Sequence, residues 1–95
     1  MAAVTGCIST QVNPNTGVKI IMITTPPTAD SGDTIDIGNK TVTGGETLAA
    51  IFGVIAVFDA DSADAVTGTW SGTTVTIDAA GGTTDHTYRI IVCGY

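Results

Sequence analysis

Positive charge is scarce in this chain: three bases, Lys19, Lys40 and Arg89, stand against nine acids in 95 residues, for a net charge of −6. Binding nucleic acid requires a stripe of cations that neutralises phosphates, and three scattered ones cannot form it, so no nucleic-acid partner is expected. The same acidity opposes adsorption to anionic lipid. Long hydrophobic runs are missing too. The longest apolar stretch, LAAIFGVIAVF from Leu48 to Phe58, has eleven residues, well short of the ~20 that a spanning helix needs, and no membrane partner is expected either.

Cysteine is limited to Cys7 and Cys93, near opposite ends of the chain. A bridge closing so long a loop would contribute roughly 4 kcal/mol in the chain-entropy model. The start, MAAVTGCISTQV, lacks the basic residues and long apolar core of a secretory signal, and with Met1 in first place it reads as a protein made and used without export. Thiols in a cytosolic protein are reduced, so both cysteines are expected to be free and buried. The NKT triplet at 39–41, a glycosylation acceptor in exported chains, then has no meaning.

Chemistry-bearing residues are few. The single histidine, His86, falls at the start of a strand-like segment, where a lone histidine is usually a half-buried cross-strand residue. Catalysis there would need a nucleophile or carboxylate in hydrogen-bond reach, for which Ser71 and Asp85 are the nominal candidates. The best metal candidate is FDADSADAV, with Asp59, Asp61 and Asp64, but measured from Asp59 the EF-hand order fails at positions 5, 6 and 12. It reads as a solvated acidic hairpin loop. No catalytic, cofactor or metal residue is assigned, and the chain is not expected to be an enzyme. Trp70 in GTWSG sits in a glycine-flanked turn, either exposed to a sugar or protein partner or folded over the end of the domain.

The composition does favour one architecture. With 43% apolar residues the chain folds rather than staying disordered, and 95 residues make one domain with a radius of gyration of about 12 Å. Short apolar runs alternate with NPNTG, TPPTADSGD, TGG, DADSADAVTG and AAGG, all built from turn-forming residues. The pattern predicts an all-β, single-domain antiparallel β-sandwich, Ig-like or jelly-roll-like. Eighteen threonines suit its surfaces.

Strands are predicted over 4–10, 17–25, 34–37 (with 40–43 extending that region after a turn), 54–58, 73–78 and 85–93, the last pairing with 73–78 across the glycine turn. A short helical turn is expected near 46–52, before the strand VIAVF. Alternation assigns Ile21, Ile23, Ile35, Val75, Ile77, Ile90 and Val92 to the core. GVKIIMITT is apolar on both faces and should be a central strand.

The order TADSGDTIDI, an apolar strand, an acidic loop and then GTTVTIDAAGGTTDHTYRIIVCGY resembles the small β-rich decoration, or cement, proteins of tailed-virus (bacteriophage) capsids, over roughly Lys19 to the C-terminus. The resemblance implies a virion structural protein on the capsid exterior, made in the host cytoplasm. It implies a non-enzymatic chain that clamps neighbouring copies of the major capsid protein, often as a homotrimer. The apolar start needs an anchor in a domain so small. Residues 1–10 are accordingly expected to be an arm or edge strand reaching a neighbour, with 11–95 as the sandwich. Met1, Ala2, Ala3, Val4, Thr5, Trp70 and Tyr95 are the expected capsid or subunit contacts. The competing reading is a carbohydrate-binding or adhesin-type sandwich, which would need an aromatic platform drawn from Phe52, Phe58, Trp70, Tyr88 and Tyr95.

Overall fold

A computed structural model describes residues 3–14, 17–61, 66–79 and 85–95. Among these residues, seven strands and one helical turn follow in the order β1 (Ile8–Gln11), β2 (Lys19–Thr24), β3 (Thr34–Asp36), α1 (Lys40–Thr43), β4 (Ile51–Asp59), β5 (Val66–Ser71), β6 (Thr74–Ala79) and β7 (Tyr88–Gly94). They form two antiparallel sheets, one of four strands in the order β1-β2-β7-β4 and one of three in the order β3-β6-β5. The result is the all-β sandwich that the alternating runs predict. Its radius of gyration is 12.0 Å.

The core lies between the sheets. Ile21 and Ile23 of β2, Ile90 and Val92 of β7, and Ile35, Val75 and Ile77 of the smaller sheet are all fully buried, as alternation requires, and Tyr88, Ile37 and Leu48 join them. β2 is a central strand, flanked by β1 and β7.

Four sequence expectations change. β7 does not pair with β6; it begins at Tyr88 and inserts between β2 and β4 in the other sheet. Its two apolar faces suit a strand with neighbours on both sides, whereas β6 already has β3 and β5. Residues 40–43 form α1 rather than a strand extension. Asn39 caps it, accepting from the Thr41 N–H, and Gly44 ends it in the left-handed conformation at φ 77°. The helical turn expected near 46–52 does not form, and β4 runs from Ile51 to Asp59 with two register shifts. Finally, Trp70 is not in a turn: β5 carries it, and the hairpin to β6 closes at Gly72 and Thr73. Positive φ at Gly72 alone, 62°, is the type II′ pattern that matches the twist of the flanking strands.

The N-terminal segment joins the sheets. Ala3 bridges Thr34 in parallel and the Val4 N–H donates to the Thr34 carbonyl, after which the chain crosses to enter β1 at the edge of the other sheet.

Candidate functional site

The surfaces that could serve a function follow from which side chains the strand register turns outward. On the outer face of the four-stranded sheet the pairings align Ile8, Thr24, Arg89 and Phe58 in one row and Thr10, Met22, Ile91 and Ala56 in the next. Ile20, Cys93 and Gly53 form a third. Ile8 is 70% exposed and Phe58 52%. Ile20, Met22, Ile91 and Cys93, side by side in these rows, are half-buried.

Arg89 is the single charged side chain on these rows, in a chain with nine acids. An exposed sheet face normally alternates polar residues outward; this one is apolar on both sides. At the register shifts in β4, Phe52 and Ile55 are two further large apolar side chains left more than half exposed.

The acids gather at one end. The 25–33 loop, the start of the β4–β5 loop and the segment leading into β7 meet there and bring together Asp30, Asp33, Asp59, Asp61 and Asp85. The Asp85 N–H donates to Asp30 Oδ1 at 2.8 Å, and the His86 N–H donates to the Ala29 carbonyl at 2.9 Å. His86 Nδ1 lies 2.7 Å from Asp59 Oδ2. The Asp59 side chain is fully buried, whereas that of His86 is 25% exposed. The Asp61 N–H donates to Asp59 Oδ1 at 2.9 Å, and the Thr87 N–H donates to Asp61 Oδ2 at 2.6 Å. The carboxylate partner of His86 is therefore Asp59, a residue that sequence reasoning had set in a separate loop. Its own neighbour in the chain, Asp85, points its main chain to Asp30 instead.

The expected contact residues divide. Met1 and Ala2 lie outside the described residues, as does Asp64 of the acidic run. Ala3 and Thr5 are exposed, while Val4 is buried in the core of its own chain. Trp70 is 45% exposed, and its pairing with Val75 places it on the inner-facing side of the edge strand β5. Tyr95 is 55% exposed and its ring lies 5.7 Å from that of Phe52, tilted by 40°. Both cysteines are free, Cys7 buried and Cys93 half-buried, and burial pushes the Cys7 thiol pKa up. Among the described residues, no helix is long and apolar enough to cross a membrane.

No protein-family model, curated protein or solved structure matches the chain.

Proposed function

We propose that this chain is a virion structural protein that decorates the outside of a tailed-virus capsid, binds the major capsid protein and stabilises contacts between shell subunits. Trimers follow from the resemblance in sequence order. The observation that carries the reading is the outer face of the four-stranded sheet. An apolar sheet face bearing one charge is a surface that a partner covers, since water solvates it poorly and a chain this acidic had many acids available to place there. A clamp needs a rigid body and such a face, and needs no pocket.

The carbohydrate reading has less support. Phe52 and Tyr95 are exposed together, but their rings are tilted by 40° and do not present one flat platform.

The test is co-sedimentation of the purified chain with undecorated capsids of the virus that encodes it. Ile8→Asp with Phe58→Asp should abolish binding and leave the melting temperature within a few degrees of the parent, because both side chains are more than half exposed. Binding should persist as salt is raised, since screening weakens exposed charge pairs far more than apolar burial. An intact chain that never sediments with capsids overturns the reading; a double variant that binds like the parent moves the contact off this face.

A further inference from the structure

The acidic end holds an arrangement that the capsid reading does not use. Asp59, Asp61 and His86 each offer one ligand atom, and the three atoms lie within 4.8 Å of one another. We propose that they form a site for one divalent first-row transition ion, Zn²⁺ foremost, which ties the start of the β4–β5 loop to the segment leading into β7.

This is a mixed donor set. It joins a fully buried carboxylate, an exposed one and an imidazole contributed by a separate loop, 27 residues further along the chain. Imidazole nitrogen with carboxylate oxygen suits Zn²⁺ and its neighbours, whereas Ca²⁺ takes six to eight oxygens. Two donors in a tetrahedral Zn²⁺ shell at 2.0–2.2 Å stand about 3.3–3.6 Å apart. Asp59 Oδ2 and His86 Nδ1, at 2.7 Å, start inside that separation. Binding replaces their hydrogen bond: Nδ1 releases any proton it carries to solvent and gives its lone pair to the ion, beside the Asp59 carboxylate.

The frame around the donors is fixed by main-chain bonds. The Ala60 N–H donates to the Thr87 carbonyl at 2.8 Å and the Thr87 N–H donates to Asp61 Oδ2, so the segments that carry the ligands are clasped on both sides of the site. Within that frame the ion would open the Asp59–His86 pair from 2.7 Å and draw in the donor that stands farther off, with all three starting within 4.8 Å of one another. Asp30, Asp33 and Asp85 at the same end raise the local cation concentration without joining the ligand set.

The experiment is calorimetric titration of the full chain with ZnCl₂ at pH 7.5, carrying Cys93→Ser so that the half-buried thiol cannot hold the ion, and with CaCl₂ in parallel. We expect one Zn²⁺ per chain and a melting temperature raised on the order of 10 °C at a hundredfold excess over Kd. Affinity should fall as the pH is lowered, because the imidazole must be deprotonated to bind. His86→Gln and, separately, Asp61→Asn should each weaken binding at least tenfold. Asp61 is exposed and Asn keeps an oxygen to accept from the Thr87 N–H, so that variant stays folded. No binding at 1 mM Zn²⁺, affinity unchanged in both variants, or tighter binding of Ca²⁺ than of Zn²⁺ would each overturn the assignment.

Discussion

Thr25 and Tyr88 are joined twice. The Thr25 N–H donates to the Tyr88 carbonyl at 2.9 Å, and the Tyr88 N–H donates to Thr25 Oγ1 at 2.9 Å. A side-chain hydroxyl thus supplies the acceptor that extends the β2–β7 ladder past Thr24, just before Pro26. Both residues are buried, so no water replaces the bond when it is lost.

Thr25→Val keeps the shape and removes the acceptor, leaving the Tyr88 N–H unsatisfied. Urea titration should show a loss of about 1–3 kcal/mol. An unchanged midpoint would mean that the backbone shifts to find another partner.

Gly44 and Gly32 both have positive φ, 77° and 90°, but their surroundings differ. A Cβ at Gly44 would stand 2.1 Å from the Cys7 carbonyl oxygen, whereas one at Gly32 meets nothing within 4 Å. Gly32→Ala should therefore cost about 1–2 kcal/mol, the conformational term alone. Gly44→Ala adds a clash with backbone and should cost at least twice as much. Equal costs would show that the N-terminal segment yields freely.

Ile90 sits at the middle of β7, paired with Ile23 on one side and Val57 on the other, with no exposure. Ile90→Ala should destabilise by about 2–5 kcal/mol, measured by chemical denaturation.

The thiols make two separable predictions. Since Cys7 and Cys93 are free, reducing agent should leave the melting temperature unchanged. Burial raises the Cys7 pKa above its ordinary 9.0, so the folded state holds that proton more tightly than the unfolded state does. Its contribution to stability is complete below pH 9 and is lost as the pH rises through the higher folded value. The fall in denaturation midpoint between pH 8 and pH 10 should be smaller in Cys7→Ala than in the parent.

How far the sequence reveals this molecule depends on whether a feature is local. Ile35 with Ile37 and Val75 with Ile77 declare their faces through strict alternation, and each of them is buried. β5 escapes that reading because VTGTWS places a glycine and a half-exposed Trp70 on its inner side; pairing with β6 makes it a strand, not burial. The partners of β7 escape it too, since adjacency in the chain suggests β6 and only the two apolar faces of β7 point to a central place.

The same holds for the site. Asp59 and Asp61 stand out in FDADSADAV, but His86 joins them through the β4–β7 register that sets Asp59 opposite Tyr88. The apolar outer face is half legible: Ile20 and Met22 mark β2 as apolar on both sides, while the alignment of Ile8, Phe58 and Ile91 beside it exists only in the assembled sheet.

The place of β7 between β2 and β4 sets the order in which the larger sheet assembles. Among the described residues β4 has no neighbour in its sheet except β7, so FGVIAVF leaves the ribosome about thirty residues before its partner exists. Until then its main-chain ladder groups have only non-native partners, the condition under which nascent chains associate with one another. Closing β4 onto β7 is also a long-range event, slow by comparison with the β5–β6 hairpin that lies between them. Assembly of the larger sheet therefore follows synthesis of β7, and holding FGVIAVF in solution during that interval is the most exposed step in the biogenesis of this chain.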